Sequence, residues 1–511
     1  MGKNKRILKN AVAILCAATL MFSALIGCKK EGNSQSNGSE SNDKGPFKIT
    51  IMLPTFTADT MNPESPALKA LEEYTNTDIE FIWVPNASYS DKMNVTMASS
   101  DLPMMMYVPN KSSSIINAVK AGGFWEIGPY LKNYKNLSKA NEIILYNTSI
   151  EGKVYGIYRG RPLGRNGIII RKDWLEALNM EAPKTMDDFY NMLVAFRDKD
   201  PDKNGQNDTY GMIVTKFSGP FFNMSVWNGA PNKWGIDENG KLYPEHMAPE
   251  YMETLKLFKK MYDEKLINQD FAVMDSAKWE EPFINNKAGV IIDVLDRGRR
   301  LSEKFEDMGT NQTVEVVGTI EGPKGRRSLP TSGYAGFFMF PKSSIKDEAT
   351  LDKVLTFVDK TNDEEALNII TNGVEGRHYR KLDGYIEKID DPNIPDNELA
   401  DFQQLLTGVN EDNKALGVKT TPMRQKVDDL MKENEDYVVA NPAEPFISET
   451  YSKRGPQLDA IIEDAMVKYI VGQIDEAGYQ AELDLWLRSG GQQYIDEINA
   501  EYAKAQANRS N

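Results

Sequence analysis

The sequence is poor in cysteine and histidine. Cys16 and Cys28 are its only cysteines, and His246 and His378 its only histidines, in 511 residues. Two cysteines cannot build a disulfide framework. Two distant histidines leave no His-rich metal site, and the sequence carries no HExxH helix, GxSxG elbow or P-loop. After residue 27 no apolar run is long enough to span a bilayer. Positive charge is also in the minority, with 60 Lys and Arg against 75 Asp and Glu and a net charge of −15. Such a balance argues against nucleic acid as a partner and against a protein that lies flat on an anionic membrane.

What is present begins at the N-terminus. "MGKNKRILKN" carries four basic residues and no acid, and "AVAILCAATLMFSALIG" follows without a charge. These are the charged and apolar regions of a secretory signal. The run ends in Leu25-Ile26-Gly27-Cys28, which resembles the bacterial lipobox, where Cys is diacylated and becomes the mature N-terminus. Ile26 departs from the small residue usual at that place, and an uncleaved anchor is the alternative. Residues 1–27 are therefore expected as a lipoprotein signal, leaving 484 residues tethered by Cys28 to the outer face of the bacterial cell membrane. Cleavage removes Cys16, so no internal disulfide is expected. It also removes Lys3, Lys5, Arg6 and Lys9, taking the charge to −19. Residues 28–46, rich in Gly, Ser and Asn, have the composition of a flexible tether.

From "FKITIMLP" onward strands and helices alternate, which argues for α/β layers with largely parallel sheets. A second α/β unit starts near "GIIIRKDWLEALN", and the chain is mainly helical after Asp396. Two lobes are expected, with 47–165 and 332–400 in the first and 166–331 and 401–511, including the C-terminal helices, in the second. A chain of this length can supply two such cores without disulfides.

Six strings, "SSDLPMMMYV", "GKVYGIYRG", "GIIIRKDWLEALNM", "AFRDKDPDKNGQNDTYG", "GVEGRHYRK" and "DLWLRSGGQQYIDEIN", resemble in that order the extracellular solute-binding proteins, family 1, of ABC importers. The oligosaccharide-binding lipoprotein branch is the nearest match. The resemblance covers nearly the whole mature chain. It implies a type II periplasmic-binding-protein-like fold, two α/β lobes joined by crossing segments. A monomer would hold an oligosaccharide in the cleft, close by hinge motion and deliver it to a membrane permease. Met104 stands where relatives commonly carry an acid, which puts a polar contact there in doubt.

A saccharide needs flat aromatic surfaces for its C–H faces and planar hydrogen-bonding groups for its hydroxyls. Trp174 and Trp486 sit in helical patterns and read as packing. Trp227 lies in a Gly-, Asn- and Pro-rich stretch without period and is expected to face ligand. Trp234 is a weaker candidate, since the resemblance gives it a fixed place in a small hairpin. Trp83 ends a strand of the first lobe, where α/β sheets border their ligands. Trp279 and Tyr334 complete the aromatic candidates. Arg159, Arg161 and Arg165 cluster at the first crossing. If they line the cleft the ligand is an acidic saccharide, because guanidinium grips carboxylate; if they point outward, a neutral glycan or a merely solvated basic loop is implied. The string holding Glu375, Arg377 and His378 matches the family near a crossing, where Glu375 accepts sugar hydroxyls or simply pairs with Arg377. No catalytic residue stands out. A binder is expected rather than an enzyme, the alternatives being a tethered glycan hydrolase or lyase and a lipoprotein that presents ligand to a sensor.

One loop invites a metal. In "DPDKNGQND", Asp200, Asp202, Asn204 and Asp208 take the spacing of EF-hand oxygen ligands, with Gly205 at the sixth place and the backbone carbonyl of Gln206 at the seventh. Gly211 replaces the bidentate Glu at the twelfth. "TYGMIV" then reads as a strand, so there is no second helix to swing. The expectation is a weak structural Ca2+ clip, against an Asx- and Gly-rich turn without metal.

Overall fold

The computed structural model describes residues 45–57, 59–99 and 101–509. The signal, Cys28 and most of the tether lie outside the described residues. Among the described residues no helix is long and apolar enough to cross a membrane.

The chain opens with β1 (Phe47–Thr55), β2 (Thr77–Pro85), β3 (Met105–Val108) and β4 (Gly156–Gly160). It crosses to β5 (Asn166–Arg171) and β6 (Tyr210–Met212), and makes a small hairpin of β7 (Trp234–Ile236) and β8 (Leu242–Pro244). After β9 (Ala288–Val294), β10 (Val314–Val317) and a tight hairpin of β11 (Glu321–Gly322) and β12 (Gly325–Arg326), it returns as β13 (Tyr334–Met339). A last hairpin, β14 (Tyr379–Lys381) and β15 (Ile386–Lys388), precedes the C-terminal helices.

These strands form two principal sheets, ordered β2–β1–β3–β13–β4 and β10–β5–β9–β6. In the first, β1 runs parallel to β2 and β3, and only β13 is antiparallel to its neighbours. The second is less parallel than expected: β5 is antiparallel to both β9 and β10, and only β6 pairs in parallel with β9. The reason is connectivity. β5 enters from the first lobe by a short crossing instead of a helical crossover, so it runs against strands laid down inside its own lobe.

Each sheet has its own core. Ile49, Ile51, Leu53, Met106, Phe338 and Val354 belong to the first. Ile168, Trp174, Phe196, Trp227, Phe258 and Trp486 belong to one face of the second, and Ile169, Trp279, Phe283 and Phe305 to the other. Strands buried on both faces read as near-continuous apolar runs, as in "GIII" of β5. Phe402, Leu405 and Val409 are buried in the first core. The segment just past the boundary expected at 400/401 therefore packs with the first lobe, and contacts with that lobe continue to Val418. Helices Glu449–Ile470 and Glu476–Trp486 pack on the second core.

The crossings are braced together. Arg161 N–H donates to Gly333 O (2.9 Å), Thr331 N–H to Leu163 O (3.0 Å) and Ser328 N–H to Tyr437 O (2.8 Å). Asn434, fully buried on helix Pro422–Glu435, donates to Gly164 O and Asn166 O at 2.8 Å each and accepts from Thr319 N–H at 2.9 Å. A Cβ at position 164 would lie 2.2 Å from Met431 O, so only glycine lets that helix press on the crossing.

Candidate ligand site between the sheets

Residues 161–165 join the C-terminal end of β4 to the N-terminal end of β5, so those two sheet edges are neighbours. The C-terminal ends of β1 and β3 share the first edge, and those of β6 and β9 the second, by the strand directions above. Strand ends at such a junction are where open α/β sheets take ligands.

On the first edge Asp401, in left-handed backbone (φ 56°), accepts hydrogen bonds from Thr55 Oγ1 (2.6 Å), Phe56 N–H (2.8 Å) and Thr57 Oγ1 (2.8 Å). The carboxylate fixes the turn that presents Phe56, 60% exposed. Lys111, just after β3, donates to the backbone carbonyls of Asn147 and Glu444 at 2.7 Å each. Burial pushes its amine down to about 8. Arg159 lies over the Tyr107 ring, 5.3 Å from its centroid, and its Nε donates to Leu406 O at 3.4 Å. Burial, then the positive charge of Arg161, holds the Arg159 guanidinium below its ordinary value, with Tyr107 acting in the opposite sense. Among the described residues, neither Arg159 nor Arg161 makes an ion pair with a carboxylate. Tyr334 begins β13, half-buried and edge-on to Phe337.

The second edge carries charge that is already matched. Arg165 pairs with Asp296 at 2.6 Å, and Arg297 with Asp293 (2.6 Å) and Glu280 (2.5 Å). Arg297 also covers one side of Trp279, 5.0 Å from its centroid, while Phe217 meets the same indole edge-on at 5.7 Å. Trp279 itself is 2% exposed and donates from Nε1 to Ile213 O.

Two cavities adjoin this region. One of about 880 Å³ lies between helix Glu142–Thr148 of the first lobe and the β7–β8 hairpin, lined among others by Tyr146, Tyr243, Arg327 and Asn441. A second of about 310 Å³ lies beyond Trp234, which lines both. Its wall includes Tyr451, Glu245, Asp459 and Glu463. Burial pushes Glu245 up to about 7 and also raises Asp459 and Glu463.

The sequence candidates thus separate. Arg159, Arg161 and Tyr334 come together on the first edge. Trp227 corrects the reading of a ligand-facing loop. It closes helix Gly219–Trp227, is 1% exposed, and packs edge-on to Phe189. That helix is buried on nearly every side, its polar Asn223 and Ser225 included, so it shows no amphipathic period. Trp234 is in the hairpin, packed edge-on to Tyr494. Trp83 lies on β2 against Phe81, partly buried on the first core. Trp279 is core beneath Phe217. Arg377 does not pair with Glu375. It grips Glu398 in two places (2.6 and 2.7 Å), and His378 Nε2 is 3.1 Å from the same carboxylate. Glu398 O in turn accepts from Ser65, the cap of helix Pro66–Thr75. The Arg377 and His378 side chains are engaged in bracing the first lobe, while Glu375 is exposed. Sequence reasoning passed over Phe56, Phe217, Lys111 and Tyr451; the only available signal for the first two was an aromatic just past a strand.

In the loop at Asp200, Asp200 accepts Asn204 N–H (3.1 Å) and Gly205 N–H (3.0 Å). The Asn204 amide donates to Asp202 (2.8 Å) and Asp208 (3.3 Å), and the Lys287 ammonium sits on Asp208. One oxygen of Asp202 is buried without a partner, and burial with the neighbouring Asp200 raises that carboxyl above its ordinary value. Among the described residues no group of three or more His, Cys, Asp or Glu is arranged as a metal site.

The family model for the bacterial extracellular solute-binding protein matches residues 58–360. The chain is 44% identical to lipoprotein LipO of Bacillus subtilis (strain 168), over 97% of this chain and 99% of the relative. It is 35% identical to the polygalacturonan/rhamnogalacturonan-binding protein YtcQ of the same organism, over 99% and 100%. An extracellular solute-binding protein from Bifidobacterium longum subsp. infantis shares the fold, with a TM-score of 0.64 at 17% identity, covering 91% of this chain and 99% of that one. Two α/β lobes with braced crossings, a ligand-sized space beside them and these likenesses lead to one statement: the chain belongs to the bacterial extracellular solute-binding protein family, with the type II fold of ABC-importer binding proteins.

Proposed function

We propose that this protein is anchored through a lipidated Cys28 on the outer face of the cell membrane, captures an acidic, uronate-containing oligosaccharide between its lobes, and delivers it to an ABC importer. One observation carries the acidic ligand: Arg159 and Arg161 stand on the ligand edge without a carboxylate partner, in a protein whose net charge is −15. An unpaired guanidinium pair there suits a sugar carboxylate. YtcQ, similar over its whole length, is named for acidic pectic polymers. Binding without turnover fits the histidines, since His246 abuts Trp486 at 4.5 Å and His378 is tied to Glu398. The test is calorimetric titration with trigalacturonate and with a neutral galactotriose, followed by product analysis. Saturable binding of the acidic sugar, unaltered after incubation, is expected. Tighter binding of the neutral sugar overturns the acidic assignment, and cleavage overturns the binder.

The loop at Asp200 is proposed as a Ca2+ clip. The orphaned Asp202 oxygen and the like-charged Asp200 beside it are the features a cation would relieve. Asp200, Asp202, Asn204 and Asp208 would give side-chain oxygens and Gln206 its carbonyl, with Lys287 released from Asp208. Calcium is expected to raise Tm and chelator to reverse the rise; a Tm indifferent to both sinks the clip.

A further inference from the structure

The loop that leaves β1 is exposed, yet one short segment from far along the chain holds it at both ends. Phe56, Thr57, Asp59 and Thr60 are exposed and follow the C-terminal end of β1, on the first edge. At the start of the loop, Oδ2 of Asp401 accepts from Thr55 Oγ1 (2.6 Å), Phe56 N–H (2.8 Å), Thr57 N–H (3.2 Å) and Thr57 Oγ1 (2.8 Å). At its end, Asn62 N–H donates to Asn397 O (2.9 Å) and Ser65 Oγ to Glu398 O (2.6 Å). Ser65 is fully buried and caps helix Pro66–Thr75. Residues 397–401 thus fix both ends of the loop.

The holding segment is itself fixed. Glu398 is 4% exposed and engaged by Arg377 and His378. Directly after Asp401, Phe402 and Leu405 enter the first core. Burial acts against the charge on Asp401, but the hydrogen bonds from Thr55, Phe56 and Thr57 prevail and hold its carboxyl below the ordinary value. The fold alone does not call for such a device. Ordering exposed residues costs backbone entropy and buries little apolar surface in return. A receptor does gain from it, because a loop ordered beforehand removes that cost from binding.

We infer that Asp401 is a positioning residue for the ligand: with residues 397–400 it presets the loop after β1 in the shape that receives the saccharide. This rests on the reading of the ligand as a saccharide held between the lobes. Asp401 acts through the loop and not on the sugar, so its loss should weaken acidic and neutral sugars alike, unlike loss of Arg159 or Arg161.

Asp401 is in left-handed backbone (φ 56°), which glycine adopts freely and asparagine tolerates. Asp401→Gly therefore removes the carboxylate without backbone strain, and Asp401→Asn keeps a weaker, neutral acceptor. Asp347→Asn is the control. Its carboxylate accepts Thr350 N–H at 2.7 Å and caps helix Glu348–Lys360, past the C-terminal end of β13 and so at the opposite edge of the same sheet. Trigalacturonate is titrated into the wild type and each variant, with Tm and with amide exchange of the free and loaded proteins. Asp401→Gly is expected to bind about ten-fold more weakly and Asp401→Asn about three-fold. In both, exchange at Phe56 and Thr57 should quicken in the free protein and return to the wild-type rate in the loaded one. Asp347→Asn should keep wild-type affinity even where its Tm falls. Should the wild type bind while Asp401→Gly stays within about two-fold of it, the positioning role is refuted and the saccharide reading stands. If the wild type binds neither trigalacturonate nor galactotriose, both fall together. Weaker binding with exchange quickened throughout β1 also refutes the positioning role, since it would mark a loss of stability in the whole lobe.

Discussion

The two edges of the candidate site use arginine in opposite ways. On the second lobe Arg165 and Arg297 are matched to Asp296, Asp293 and Glu280, and Arg171 behind them is 1% exposed and paired with Asp173 at 2.6 Å. On the first lobe Arg159 rests on a tyrosine ring and a carbonyl, and Arg161 meets no carboxylate among the described residues. A matched guanidinium has its desolvation offset within the protein and serves the fold. An unmatched one at an accessible edge keeps its hydrogen-bonding capacity for something that arrives. Under the proposed function the same residue type divides into scaffold and receptor by its partners alone.

That contrast can be broken from the scaffold side first. Arg171 also donates to Phe283 O and Asn286 and lies over Trp174 at 5.0 Å. Arg171→Met is expected to cost about 3 kcal/mol of stability, since it strands buried acceptors and a carboxylate, read by urea denaturation, with affinity for ligand unchanged in the folded fraction. Arg161→Ala should do the reverse. It should lose about 1.5–3 kcal/mol of binding to trigalacturonate, keep neutral-sugar binding, and leave Tm where it was. Equal losses for both sugars would erase the distinction between the edges.

Glu398 sharpens the comparison within the first lobe, because there Arg377 is matched. The Arg377 guanidinium, more than His378, holds the Glu398 carboxyl below its ordinary value. A carboxyl depressed on folding contributes stability above its unfolded value, and that contribution disappears as pH falls through its folded value. Glu398→Gln is therefore expected to lower Tm at neutral pH, with the gap to wild type narrowing under acid. A constant gap across thermal melts at descending pH would contradict this. The smallest effect belongs to an exposed pair such as Lys184 and Glu181, 3.2 Å apart with side chains 79% and 86% exposed. Lys184→Ala should not move Tm measurably.

Strand strings such as those of β1, β5 and β13 were legible because burial on both faces writes itself as apolar residues in sequence. Arg159 and Arg161 were legible as a cluster at a crossing, since three short-range neighbours carry that signal. Trp227 was misread because a wholly buried helix has no polar face to reveal its period. The Arg377–Glu398 pair was not legible because the two residues, 21 apart in sequence, meet only through tertiary packing beside helix Pro66–Thr75. Lys111 and Glu444 meet across 333 residues, a contact no local pattern contains.

Composition and local pattern by themselves determined an acidic chain, α/β layering, a crossing rich in arginine and a loop with calcium-like spacing. Those properties depend on residues near one another in the chain. Which arginines are matched, which tryptophans are core and which aromatics stand free was decided only by tertiary structure, because burial and charge pairing are properties of neighbours in space.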